Sequence, residues 1–229
     1  MKKFCHRNDI DFDIAIQESI DGKRVYVTPK NEVYPSITSV LAQVPKPGIR
    51  EWRKRVGEAE AKKIMRESST LGTAVHKICE NYLHNKSYPK NNKKAIDVFN
   101  RLRFILNGNI DNIVGLEIPM YSDILRVAGT TDCIADYNGK LSVIDFKTSK
   151  KAKKEEWVED YYIQTFAYAL MFEELTGIAI EQVVILIACT EEFDVQVFKK
   201  PYSEMVHYIE ELVAIMKKYP YVTSMHQPL

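Results

Sequence analysis

Two aspartates and a lysine, Asp132, Asp145 and Lys147, stand in the stretch Gly129–Lys147, GTTDCIADYNGKLSVIDFK. Two strand-forming runs there flank Asn138-Gly139, a strong short-range hairpin signal. With a two-residue loop, Tyr137 pairs with Lys140. Counting outward sets Ile134 against Val143, Asp132 against Asp145 and Thr130 against Lys147. Side chains alternate with period two, so these pairs share a face. Directly opposed carboxylates would have Cβ atoms roughly 4.5–5.5 Å apart and would repel. A divalent cation between them reverses that sign. The Phe146 carbonyl, between Asp145 and Lys147 in sequence, would add an oxygen ligand of the kind hard cations prefer. Paired carboxylates, a metal and an adjacent lysine are the parts needed to hydrolyse a phosphodiester. The plainer reading is an exposed hairpin with its acids in water. Ile134 and Val143 on one face and Ile144 and Phe146 on the other argue against it, because a hairpin apolar on both faces belongs in the interior. Carboxylates there must be paired or bind metal.

Other groups gain meaning from that hairpin. His76 and Glu80 lie four apart in LGTAVHKICENYL, on one face of an expected helix. A lone helical histidine is more often a satisfied core or surface residue. Here it could reach the cation, with Glu80 able to orient it through a hydrogen bond. Gln164 and Tyr168 share a face of a later helix, and Trp157 and Tyr161 continue the stripe. Such stripes are usually core, but a buried glutamine needs partners. Lys147–Lys154 carries five lysines in eight positions, and Arg50–Arg66 carries seven basic residues around Trp52. Charge runs are usually solvated faces. Their functional reading is phosphate contact with base stacking on Trp52.

These residues need a scaffold, and the chain of 229 residues suits one domain with a sizeable core. Its composition is ordinary, 45% hydrophobic and 28% charged, with a net charge of +1. Any nucleic-acid contact must therefore come from local patches. Cys5, Cys79, Cys133 and Cys189 are scattered without a CxxC pair, so no iron–sulfur cluster or zinc ribbon is expected. They read as reduced thiols in a cytoplasmic protein. MKKFCHRND lacks an apolar run for a secretory signal, no organelle transit peptide is visible, and no segment approaches the ~20 apolar residues of a membrane span. There is no GxxxxGK[ST] nucleotide loop.

The expected elements begin with a hairpin over residues 12–29 around Asp21-Gly22. A short helix follows over 37–44, with Ser36 as its N-cap. A charged helix over about 50–67 comes next. Ser68–Thr70 then cap a further helix to about Asn85, and another spans 91–107. Strands are expected at 113–122, in the hairpin, at 183–189 (VVILIAC) and, as an edge, at 193–198. A long helix over about 155–176 closes at Gly177, and an amphipathic helix covers 202–218. This order predicts an α/β domain: a mixed central sheet flanked by helices, with an N-terminal hairpin and a helical wall. Residues 1–67 would form the N-terminal DNA-binding segment, 68–200 the core, and 201–229 the last helix and tail.

GTAVHKICE at 72–80, GTTD at 129–132, IDFK at 144–147 and QTFAY at 164–168 together resemble the PD-(D/E)XK nuclease superfamily. The resemblance is to its RecB-like branch, which includes phage-encoded exonucleases; Thr131 stands where the superfamily's name has proline. It implies a restriction-endonuclease-like core in which His76, Asp132, Asp145 and the Phe146 carbonyl hold one or two Mg²⁺ or Mn²⁺ ions. Lys147 would position or activate the attacking water, Gln164 would line the site, and Glu80 would be a supporting acid. Tyr168, Thr130, Ser149, Lys150 and Lys151, with Arg50, Trp52 and Arg53 further off, are assigned to DNA. The implied activity is a metal-dependent exonuclease on single-stranded DNA or DNA ends, in replication, recombination or repair, alongside proteins of those processes. A flap or junction endonuclease, or an inactive DNA-binding module, are the alternatives.

Overall fold

The computed structural model describes residues 2–20, 22–192 and 194–220; Met1, Asp21, Phe193 and residues 221–229 lie outside them. Strands β1 (Ile16–Ile20), β2 (Lys23–Val27) and β3 (Val33–Pro35) make a small antiparallel sheet. The main sheet holds β4 (Ile110–Ser122), β5 (Val127–Tyr137), β6 (Lys140–Ser149), β7 (Gln182–Cys189) and β8 (Val195–Pro201), in that order. Its β6–β7 pair is parallel and its other pairs are antiparallel. The parallel pair needs a crossover, which is α5 (Glu159–Thr176), ended by Gly177 in the left-handed conformation. The sheet is therefore mixed and flanked by helices, as the sequence predicts.

Both faces of the sheet are covered, which is why its central strands read as near-continuous apolar runs. On one face Ile134, Val143, Ile185 and Ile187 pack with Phe166 and Phe172 of α5 and with α6 (Met205–Lys218). On the other, Ile144, Phe146, Val184 and Leu186 pack with α3 (Glu58–Leu83) and α4 (Lys93–Asn109) through Val75, Ile78, Phe99 and Leu102. Asn92 caps α4, its side chain accepting from the Ala95 N–H at 3.1 Å, a contact worth about 1 kcal/mol. Among the described residues no helix is long and apolar enough to cross a membrane.

Several boundaries differ from the sequence reading. The charged helix and its successor divide at Gly57, not at Ser68–Thr70. The first piece is α2 (Pro47–Val56), and α3 runs unbroken through the serines. Ser and Thr compete for helix backbone bonds, but Ala61 is buried before them and Leu71, Val75, Ile78 and Tyr82 are buried after them, so packing on both sides carries the helix through. Gly57, at φ +87°, takes a conformation that L residues rarely adopt. Ser36 stands at the N-cap of α1 (Ile37–Leu41) without a capping bond; its hydroxyl pairs with Thr38 Oγ1 at 2.7 Å. Trp157 leaves the helical stripe, being 56% exposed in a 3₁₀ turn before α5. Strand β3 has no counterpart in the sequence reading, since three residues ending in proline give little strand signal.

Candidate active site

The hairpin register holds from Tyr137↔Lys140 through Ile134↔Val143 to Cys133↔Ile144, and there the ladder stops. Strand β5 goes on pairing with β4, as Thr131↔Ile118 and Thr130↔Pro119, while β6 goes on pairing with β7, as Asp145↔Ile185 and Lys147↔Ile187. The two strands part like a fork. The Phe146 N–H donates to Asp132 Oδ2 at 2.7 Å rather than to β5 backbone. Asp132 and Asp145, and Thr130 and Lys147, are thus not the directly opposed pairs that period-two counting gives. A side chain has replaced a rung of the ladder. The N–H and C=O of an extended residue share one edge, so the Phe146 carbonyl also faces the opening.

Side chains reach this fork from both faces of the sheet. From α3, His76 places Nδ1 3.2 Å from Asp132 Oδ1 and sets its ring edge to face with Phe146. From β6, Lys147 Nζ stands 2.5 Å from Asp145 Oδ2. That oxygen is buried, and the ammonium is its counter-charge. From α5, Gln164 accepts from Lys147 at 3.5 Å and donates to the Tyr168 hydroxyl at 2.9 Å. The partner that a buried amide requires is thereby found. All these side chains, Phe146 excepted, line one cavity of about 690 Å³, within the ~300–1,000 Å³ typical of binding sites.

A residue missed from the sequence completes the cluster. Ligand atoms of His76, Glu117 and Asp132 all lie within 4.8 Å of one another. Glu117 sits in β4 with φ +51°, a strained conformation for a non-glycine residue of the kind that gathers at functional sites. In IVGLEIPM it reads as one polar residue in an ordinary strand. The register Leu116↔Cys133 and Ile118↔Thr131 leaves it opposite Asp132.

The electrostatics follow from crowding. Desolvation opposes charge on His76, but the Asp132 carboxylate outweighs it and lifts the imidazole to about 9. Desolvation would raise Asp132 too, yet His76, Lys147 and the Phe146 N–H hold it below the usual range. Burial pushes Asp145 up to about 6 in spite of Lys147. Burial disfavours the Lys147 ammonium, but Asp145 and Asp132 more than restore it, so it is held charged. Desolvation and the Asp132 charge lift Glu117 to about 7. Three carboxylates and an imidazole, three of these four groups with ligand atoms within 4.8 Å of one another, fit a hard divalent cation.

A family model of the PD-(D/E)XK nuclease superfamily matches residues 104–219. The chain belongs to this superfamily. The matched span carries Glu117, Asp132, Asp145, Lys147, Gln164 and Tyr168, with His76 upstream of it, and the helix-flanked mixed sheet agrees with a restriction-endonuclease-like α/β fold. The chain is 29% identical over 132 residues to mitochondrial genome maintenance exonuclease 1 of Mus musculus, 52% of this chain and 38% of that protein. To the Homo sapiens protein of the same name it is 28% identical over 135 residues, 54% and 39%. The chain thus matches less than half the length of these relatives. The crystal structure of SSO0001 overlaps at a TM-score of 0.36 and 15% identity, over 79% of this chain and 75% of that one. That superposition is too loose to bear on fold or function.

Not every residue assigned to this nuclease site from sequence converges on the cavity. Thr130 and Glu80 line it. Glu80, however, pairs with Lys77 at 2.7 Å rather than orienting His76. Ser149 and Lys150 line a smaller depression beside Lys94 and Thr190, and the Ser149 hydroxyl donates to the exposed Lys151's carbonyl at 2.7 Å. Arg50 and Arg53 border a third depression, formed with residues 42–46. Trp52 is half-buried on α2, which ends at Gly57, and it does not line the cavity. The expected helical wall is therefore supplied by the second half of α3, from Gly72 to Glu80, and by the small sheet, which contributes Gln17, Arg24 and Tyr26.

Proposed function

We propose that this chain is a divalent-metal-dependent deoxyribonuclease, an exonuclease that hydrolyses phosphodiester bonds of single-stranded DNA or DNA ends. The observation that carries it is the fork: Asp132 and Asp145 gathered where β5 and β6 part, with His76 and Glu117 beside Asp132 and Lys147 against Asp145. His76, Glu117, Asp132 and Asp145, with the Phe146 carbonyl, would hold Mg²⁺ or Mn²⁺. Such an ion lowers the pKa of water and offsets charge on an attacked phosphate.

The protein's own groups have separable roles. Lys147 is held as an ammonium by Asp145 and Asp132, so it donates hydrogen bonds and charge rather than abstracting a proton. It orients the nucleophilic water and steadies the phosphate oxygens as negative charge develops. Gln164 fixes the Lys147 head and is itself fixed by Tyr168. His76 must be neutral to act as a ligand, so its pairing with Asp132 makes ion binding release a proton.

The exonuclease reading is supported by the relatives named as genome maintenance exonucleases; a role in DNA replication, recombination or repair is part of this proposal. End-labelled linear single-stranded DNA and the same DNA as a closed circle, incubated with Mg²⁺, Mn²⁺ or EDTA, test it. Loss of the linear DNA alone, abolished by EDTA, is expected. Cleavage of the circle would make the protein an endonuclease, and binding without cleavage a DNA-binding module.

A further inference from the structure

The small sheet is not part of the catalytic fork, yet it forms one wall of the same cavity through Gln17, Arg24, Tyr26 and Thr38. Arg24 and Tyr26 are two apart on β2, hence on one face, and Gln17 is the cross-strand partner of Tyr26. Buried Tyr26 locks this wall to the core. Its hydroxyl donates to Gln17 Oε1 at 3.1 Å and lies 3.0 Å from Thr130 Oγ1 of β5. Because its proton is committed to Gln17, the Thr130 hydroxyl is the donor to it. The Gln17 amide then has its acceptor occupied and two N–H donors left over.

Arg24 has a distinctive charge environment. The other cations of the cavity face carboxylates: Lys147 with Asp145, Lys77 with Glu80 and His76 with Asp132. The Arg24 guanidinium instead bonds the neutral hydroxyl of Thr38 at 2.5 Å. Thr38 Oγ1 is in turn 2.7 Å from Ser36 Oγ, so the guanidinium is aimed but not neutralised. A fork of donors with unspent charge matches a phosphate.

Resting on the nuclease reading above, we infer that the β1–β2 wall is a substrate clamp. Arg24 and Gln17 grip a backbone phosphate of single-stranded DNA adjacent to the one attacked at the fork. Such a contact sets how the strand lies across the carboxylates without taking part in the bond cleavage.

The test is binding of a fluorescein-labelled oligothymidylate in EDTA, followed by anisotropy over a salt series, for wild type, Arg24→Ala, Arg24→Lys and Gln17→Ala. Loss of one phosphate contact on a single strand lowers the slope of log K against log salt by about 0.7. Arg24→Ala is expected to show that fall with several-fold weaker binding at low salt. Arg24→Lys should restore the slope, and Gln17→Ala should weaken binding at an unchanged slope. Arg24 and Gln17 are exposed, so the variants should melt like wild type. Wild-type binding with Arg24→Ala unchanged in affinity and slope would overturn the clamp and leave the nuclease standing. A wild type that neither binds nor cuts DNA would overturn both.

Discussion

The Phe146 N–H points at Asp132 Oδ2 from 2.7 Å, and the sheet opens at that bond. A carboxylate placed there is held by backbone on one side and by His76 on the other. It is thereby fixed before any ligand arrives, and preorganisation of this kind is what an electrostatic site requires.

Asp145→Asn keeps the shape of the buried side chain and removes its charge. Cleavage is expected to fall by more than the roughly 10–100-fold typical of changes in outer-shell partners, with oligonucleotide binding in EDTA retained. A single-turnover assay beside an anisotropy titration separates the two. Cleavage within a few-fold of wild type would remove Asp145 from the site.

Lys147→Met tests the ammonium. It removes charge from the developing phosphate oxygens, and a loss of about 10²–10³ in kcat is expected. It also removes a cation that competes for Asp145, so Mn²⁺ affinity should hold or rise. Parallel loss of Mn²⁺ binding would mean that Lys147 supports the site structurally instead.

Glu117 makes a pH-dependent prediction. Its folded pKa of about 7 lies above the ordinary 4.5. Between those values the folded chain keeps a proton that the unfolded chain has lost, so stability falls as pH rises through that window and stays lower above it. Glu117→Gln should therefore raise the melting temperature of metal-free protein at pH 8, with no gain from this source below about pH 4.5. Mn²⁺ should then stabilise the variant less than wild type. Thermal melts at both pH values, with and without Mn²⁺, read this directly, and equal Mn²⁺ shifts would exclude Glu117 as a ligand.

Gly129 lets Tyr168 approach the sheet. A Cβ at that position would stand 2.7 Å from Tyr168 Cε1 and 3.0 Å from Ile37 Cγ2. Both neighbours are buried and have little room to yield. Gly129→Ala is expected to cost about 1–3 kcal/mol by overpacking and to lower kcat by displacing Tyr168 from Gln164. Chemical denaturation and steady-state kinetics check the two effects.

The sequence carried the hairpin turn, the buried strands and the crossover helix, because each rests on a local signal: Asn138-Gly139, the run VVILIAC, and Gly177 after a long apolar helix. It brought Asp132, Asp145, Lys147, His76, Gln164 and Tyr168 into one site through motif spacing. Period-two counting could not see the fork, since a strand's departure from its neighbour is decided by a side chain bonding to Phe146. Glu117 stayed hidden because a positive φ leaves no mark in a glutamate's neighbours. The Arg24 wall joins β2 to β5 across more than a hundred residues, a contact no local pattern encodes. The continuous α3 shows tertiary burial overriding the serine and threonine that read as a cap.

The most direct measurement is a calorimetric titration of Mn²⁺ into metal-free wild type and Asp132→Asn at pH 8. The fork as a metal site predicts saturable binding to wild type, with proton release, and at least tenfold weaker binding to the variant, tenfold being the lower end of what even outer-shell changes produce. Equal binding by both proteins, or none by wild type, would contradict it.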